Sequence, residues 1–228
     1  MPEVNEHGQQ VGDVVPGWEP RSAPEPVELE GRYAKVVPLT SAHYADLFAA
    51  TCGEDDDALW TYRPIAKPTK LPDLWMHLAG VVESDLTFAI LPEGRRAEGF
   101  ASFLRIDPRT GQVEIAGVLF GRTLQRTRAA TEAVHLLMRY AFEDLGYRRF
   151  EWKCDSLNEP SRRAAERLGF VYEGRFRNHM VIKGRNRDTD WFSVTDAEWP
   201  RVRAAHEAWL DPSNFDAEGS QRSRLRVP

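Results

Sequence analysis

The chain has little cysteine, no long apolar run and no excess of positive charge, and each shortage removes a class of protein. Cys52 and Cys154 are its only cysteines among 228 residues. Two thiols without a C-x-x-C pair make no disulfide framework, which points to a reducing, cytoplasmic setting. No stretch approaches the ~18 consecutive apolar residues that mark a membrane helix. The start, Met1-Pro2-Glu3-Val4-Asn5-Glu6, lacks the basic and apolar regions of a secretory leader. A formal net charge of -5 and a pI near 5.7 offer nucleic acid no general electrostatic hold. His7, His43, His77, His135, His179 and His206 show no ligand spacing such as H-E-x-x-H, so no metal is expected. No internal repeat is visible.

What is present suffices for a core: 42% hydrophobic residues, with 7 Trp and 11 Phe. A Pro-, Gly- and Glu-rich lead over 1–26 lacks periodicity and is read as wrapping the surface or staying mobile. The domain proper spans 27–210. Residues 211–228 form a tail whose last part, 221–228, has no packing pattern and is read as frayed.

Arg32 to Pro38 reads as a strand, and Thr40 caps a helix carrying Tyr44, Leu47 and Phe48. Leu74, Trp75, Leu78, Val81 and Val82 form an amphipathic helix, followed by strands around Leu86 to Leu91 and Gly99 to Ile106. Val113, Ile115, Val118 and Phe120 surround one carboxylate, Glu114, in a further strand. Val134, Leu137, Met138, Ala141, Phe142 and Leu145 recur at three- and four-residue steps, a helix that Gly146 ends. Arg149 to Cys154 reads as a strand, and Asn158-Glu159-Pro160-Ser161 opens a short helix that stops at Gly169. Val171 to Arg175 and Asn178 to Lys183 read as two strands, and Gly184 to Thr189 as a turn before Trp191 to Val194. Thr195-x-x-Glu198 is a capping box ahead of a helix striped by Trp199, Val202, His206 and Trp209. Strands interleaved with helices, and hairpins on one side, predict a mixed sheet covered by helices, an α/β or α+β sandwich.

The most telling stretch is Gln125-Arg126-Thr127-Arg128-Ala129-Ala130-Thr131-Glu132, which joins a strand to a strongly periodic helix. The first turn of a helix offers unpaired N–H groups and the positive end of the macrodipole, a ready site for pyrophosphate. Ala129 and Ala130 are small enough for close backbone approach.

On these residues the chain resembles the GCN5-related N-acetyltransferases (GNAT), and within them the Rim-type enzymes that acetylate protein N-termini. Gln125-x-x-Arg128-x-Ala130 matches the family's Gln/Arg-x-x-Gly-x-Gly/Ala acetyl-CoA loop except at Arg128, where the family has glycine. Thr131-Glu132-Ala133 matches the continuation, and Asn158-x-x-Ser161 to Leu168-Gly169-Phe170 the second half of the motif, so the resemblance covers roughly residues 29–194. It implies a mostly antiparallel sheet with one splayed parallel pair, the acyl-pantetheine arm lying between Val113–Phe120 and Phe150–Cys154. It also implies acetyl-CoA as cofactor. The binding set would be Val118, Phe120, Gln125, Arg126, Thr127, Arg128, Ala129, Ala130, Thr131 and Asn158, with a backbone N–H near Val118 to Phe120 polarising the carbonyl. Arg128 either pairs with a phosphate oxygen or is a solvated surface arginine. Asn158 is read first as the helix cap.

Acetyl transfer to an amine needs a base, a polarised carbonyl and a proton for the leaving thiolate. Glu114 is the candidate base, with a raised pKa suiting the role, or an idle strand glutamate. Ser161 either protonates the coenzyme A sulfur, as the resemblance implies, or satisfies first-turn backbone donors. Cys154 has no visible base and is read as a core thiol rather than a nucleophile, Lys153 alternating to the opposite strand face.

The acceptor is a primary amine, on a small molecule or a protein N-terminus. Trp60-Thr61-Tyr62-Arg63-Pro64 and the Arg185–Asp188 turn are candidate walls of its site, or plain loop packing. Trp199 and Trp209 bury either in the domain or in a homodimer. A catalytically retired acyl-CoA-binding or interaction domain is the alternative, motivated by Arg128 and by the absence of a tyrosine at Ser161.

Overall fold

Eight of the strands hydrogen-bond into one sheet in the computed structural model, which describes residues 3–227. A separate two-residue ladder joins β1 (Glu3–Val4) to β2 (Gln10–Val11) in the exposed lead. The sheet then takes β3 (Leu29–Glu30), β4 (Ala34–Pro38), β5 (Leu86–Pro92), β6 (Gly99–Asp107), β7 (Gln112–Phe120), β8 (Arg149–Asp155), β9 (Val171–Ile182) and β10 (Arg185–Thr195). Their order is β3-β4-β5-β6-β7-β8-β10-β9, and every pairing is antiparallel except β7 with β8. The mixed sheet with a single parallel pair is thus as expected.

Helices cover the two faces separately. One core packs α1 (Tyr44–Thr51) and α2 (Leu71–Ser84) on Val37, Ala89, Phe100 and Leu119. The other packs α3 (Arg128–Arg139), α4 (Glu159–Arg167) and α5 (Trp199–Leu210) on Phe88, Phe103, Ile115 and Phe150. A π-type turn over Tyr140–Asp144 extends α3 to the end foreseen for it. Ala129 to Met138 are all buried, because α5 covers the side of α3 away from the sheet, stacking Trp199 on His135. The polar Glu132 on that helix is consumed structurally: its carboxylate accepts the N–H groups of Arg32, Tyr33 and Ala34 at 3.0, 2.6 and 2.7 Å, tying the β3–β4 turn to α3.

Three expectations change, and one stated alternative is decided. The 221–228 stretch is not frayed as far as it is described, since Leu225 is buried and Trp209 Nε1 donates to Gln221 Oε1 and Ser223 O. Single apolar anchors of this kind leave no periodicity to detect. Arg185–Asp188 is strand rather than turn, because Lys183 and Gly184, at φ 49° and 72°, make the hairpin turn by themselves. The two expected strands before it are one, β9, with Asn178 at φ 51° beside an irregularity in the register. Trp199 and Trp209 are buried within the chain and furnish no dimer surface. The lead wraps, as one reading had it: Arg21 N–H donates to Pro108 O, and Tyr147 Oη to Ser22 O. No helix among the described residues is long and apolar enough to cross a membrane.

Candidate active site

β7 and β8 part company midway. They pair from Gln112 opposite Arg149 to Ile115 opposite Trp152, and no further. The cause lies in β7, where Phe100 faces Leu119 but Ser102 faces Ala116, so one residue of β6 opposes Gly117 and Val118. Gly117 sits at φ 61°, a conformation that favours glycine, and this bulge bends the strand away from β8. Backbone groups of Ala116–Phe120 that would point at β8 therefore have no ladder partner there. This is the opening expected between Val113–Phe120 and Phe150–Cys154, and it brings Val118 and Phe120 to its rim. Gln125 Nε2 reaches back to Phe120 O at 2.9 Å.

The opening leads to the start of α3. Thr127 caps the helix, its Oγ1 accepting from Ala130 N–H at 3.1 Å and donating to Leu124 O at 2.7 Å. Arg126 takes φ 63°, and the N–H groups of Arg126, Arg128 and Ala129 have no acceptor among the described residues. Three free amides at a positive helix end form an anion cradle. Arg128 itself is helical, so its position does not demand glycine. Its guanidinium lies 4.3 Å from the Tyr33 ring centroid and 5.4 Å from that of Phe215, with Nη2 3.5 Å from Glu93 Oε1. Arg126, Thr127 and Arg128 line a cleft of about 600 Å³ that the tail closes with Phe215. Thr131 is turned inward, bonded to Thr127 O and to Arg167.

Glu114 and Ser161 lie on opposite faces of the divergent pair. Glu114 is buried; its Oε2 accepts from Arg105 Nε at 2.8 Å and from Lys153 Nζ at 2.7 Å. Lys153 is buried too, 3.2 Å from Glu151 Oε2 and 3.6 Å from the Trp191 ring centroid. Glu151 goes on to Arg149, and Arg149 to Glu173. Across the sheet, Asn158 caps α4 through Ser161 N–H, and Ser161 Oγ accepts from Trp152 Nε1 at 3.0 Å, leaving its own proton to give. Burial pushes the nearby Cys154 thiol up to about 11, so it is no thiolate at neutral pH.

The Trp60–Pro64 wall is held by its neighbours. Lys183, at the β9–β10 tip, donates to Trp60 O and Thr61 O, both at 2.9 Å, while Tyr62 Oη donates to Leu157 O at 2.8 Å. Trp60 is core, its indole bonded to Thr51 O. Arg63 Nη1 donates to Gly117 O at 2.7 Å, at the bulge itself. Sequence reasoning passed over Lys153 and Arg105 as partners of Glu114. The alternation Arg149, Glu151, Lys153 was the available signal, since it sets three charges on one face of a central strand.

A model of the acetyltransferase (GNAT) domain matches residues 35–171. The chain belongs to the GNAT acetyltransferase family. It is similar to a solved GCN5-related N-acetyltransferase from Brucella melitensis, 45% identical with a TM-score of 0.90 over 92% of this chain and 97% of the other. It is also 34% identical over 110 residues to the uncharacterized N-acetyltransferase p20 of Bacillus licheniformis, and 31% over 101 residues to the putative ribosomal N-acetyltransferase YdaF of Bacillus subtilis. These matches take in 48% and 44% of this GNAT chain, which spans 61% and 55% of the two curated relatives' lengths. The similarity to YdaF supports the Rim-type branch.

Proposed function

We propose that this GNAT protein is an acetyl-CoA-dependent N-acetyltransferase that moves the acetyl group directly to a primary amine in a ternary complex. The observation that carries the reading is the divergence of β7 and β8 after Ile115 and Trp152, with a carboxylate on one side and free α3 amides at its end. Acetyl-CoA would supply the acetyl group as a thioester. Arg126, Arg128 and Ala129 N–H groups would hold its pyrophosphate, and backbone groups of Ala116–Phe120 would take the amide-bearing arm in place of a β8 partner.

Glu114 accepts the proton of the incoming ammonium, directly or through water. Lys153 and Arg105 hold its Oε2, which leaves Oε1 to face the acceptor. The amine nitrogen bonds to the carbonyl carbon, a backbone N–H near the bulge meets the charge building on the carbonyl oxygen, and the carbon–sulfur bond breaks. Ser161 would give its proton to the leaving sulfur, its oxygen oriented by the Trp152 indole, and recover one through solvent as the nitrogen sheds its second proton to form the amide, while Glu114 returns its proton to water. The similarity to YdaF supports a protein N-terminus as one acceptor class, and the two unpaired thiols suit a reducing cytoplasm.

Calorimetric titration with acetyl-CoA, with desulfo-coenzyme A as control, tests the first step, and micromolar affinity is expected. Glu114→Gln should then lower kcat at neutral pH while leaving that affinity within about twofold, and Ser161→Ala should slow thiol release. Absence of binding up to millimolar would leave the non-catalytic interaction domain instead.

A further inference from the structure

Arg63 is a cation without an anion. Among the described residues no carboxylate lies within 4 Å of its guanidinium, and the acids nearest its side of the sheet are taken: Glu114 by Arg105 and Lys153, Glu151 by Lys153 and Arg149, Asp56 by Arg122, Asp57 by Lys67. Nη1 is spent on Gly117 O, and Nε is buried with no acceptor, while Nη2 is neither bonded nor buried. The guanidinium lies 5.8 Å from the Trp60 ring centroid and 5.3 Å from that of Phe100. Burial alone, with nothing to offset it, pulls Arg63 down to about 10, and the Arg63 charge in turn helps hold His77 below its ordinary value after burial. Arg63 as a whole is half-buried and its bond to Gly117 O lies in an exposed position, so the open Nη2 of this unpaired fork is within reach of an anion from solvent.

The position says which ligand. Gly117 is the bulge residue at the mouth of the opening, on the strand that carries Glu114 three residues earlier. The anionic end of acetyl-CoA belongs at Arg126–Ala129, at the far end of β7, and its pantetheine arm is uncharged. The loop presenting Arg63 is pinned by Lys183 on Trp60 O and Thr61 O and by Tyr62 on Leu157 O, so the fork is held ready rather than folded around a partner.

Building on the acetyltransferase reading, we infer that the acceptor is a primary amine that also carries a carboxylate, and that Arg63 binds that carboxylate while Glu114 receives the amine. A free amino acid and a peptide N-terminus followed by an acidic residue share this chemistry. Arg63 is then a specificity residue: it selects the acceptor and takes no part in bond making.

The test measures thiol release from acetyl-CoA by the full chain with matched acceptors. The panel pairs free L-amino acids with their carboxamides, and C-terminally amidated hexapeptides beginning Ala-Asp or Ala-Glu with those beginning Ala-Asn or Ala-Gln. The carboxylate member of a pair should be favoured about tenfold or more in kcat/KM, as one charged hydrogen-bonded contact warrants. Which series responds identifies the source, free amino acid or acidic peptide. Arg63→Gln should erase the preference, the KM of the carboxylate member rising to that of its neutral partner; Arg63→Lys, which keeps the charge without the fork, should retain part of the preference and serves where Arg63→Gln does not fold. Equal rates on neutral partners, a preference that survives Arg63→Gln, or a uniform fall in kcat on every acceptor would overturn the inference while leaving acetyl transfer standing. No acetylation of any amine by a protein that binds acetyl-CoA would defeat both.

Discussion

Replacing Lys153 with methionine should destabilise the protein by about 3 kcal/mol at pH 7. The Lys153 side chain is only 4% exposed, with its ammonium 2.7 Å from Glu114 Oε2 and 3.2 Å from Glu151 Oε2. At an effective dielectric of ~20, a contact near 3 Å corresponds to roughly 5–6 kcal/mol of gross Coulomb attraction, most of which desolvation offsets. Removing one partner of a buried pair costs about 3–5 kcal/mol, because the remaining charges stay buried. Here the lower end applies, since Glu114 keeps Arg105 and Glu151 keeps Arg149, and methionine retains the packing on Trp191. In a chain of this size that loss lowers Tm by roughly 6–12 °C. Urea unfolding of wild type, Lys153→Met, Glu114→Gln and the double variant reads it directly. The midpoint should fall at constant m, and the double variant should recover at least ~1 kcal/mol relative to additivity. A loss under ~1 kcal/mol, or strict additivity with Glu114→Gln, would refute the view that these charges form one buried network.

Two other perturbations test the frame around the site. Glu132→Ala strips the acceptor from three N–H groups of the β3–β4 turn and should cost at least ~3 kcal/mol, with Glu132→Gln in between; a chemical-denaturation loss under ~1 kcal/mol would show the turn finding other partners. His135 and His206 are held neutral, burial pulling them from the ordinary 6.5 to about 4 and about 3. Their folded values lie below the unfolded one, so the unfolded chain binds the extra protons, and stability falls as pH drops through 6.5 toward 4. The loss approaches ~1.4 kcal/mol per histidine per pH unit within that window, and a urea series from pH 7 to pH 5 showing no such slope would contradict it.

Much of the site was legible locally. The apolar residues Val113, Ile115, Val118 and Phe120 step by two, then three, then two, and the odd step marks the bulge at Gly117 that opens the sheet. The α3 stripe was equally visible, being a property of a few neighbouring residues, whereas Thr127, expected only in the cofactor set, is the residue that caps the helix. The β9–β10 region misled because Arg, Asn and Asp compose turns and equally a hairpin that extends to the sheet edge, where solvent takes polar side chains; only Lys183-Gly184 has the backbone of the turn. Arg128 was judged against the glycine of the motif, whereas its helical backbone leaves the amide free and sends the guanidinium to Tyr33 and Phe215.

The amino-acid sequence by itself determined most of the elements up to β8 and the anion cradle, because periodicity, capping and backbone freedom act over a few residues. Only tertiary structure decided the partners of the charges: Lys153 meets Glu114 across 39 residues of chain, and Arg63 meets Gly117 across 54. Pairings of that separation are set by which strands lie side by side and by which loop is pinned over them. No local pattern encodes such contacts, and the acceptor choice proposed for this chain rests on them.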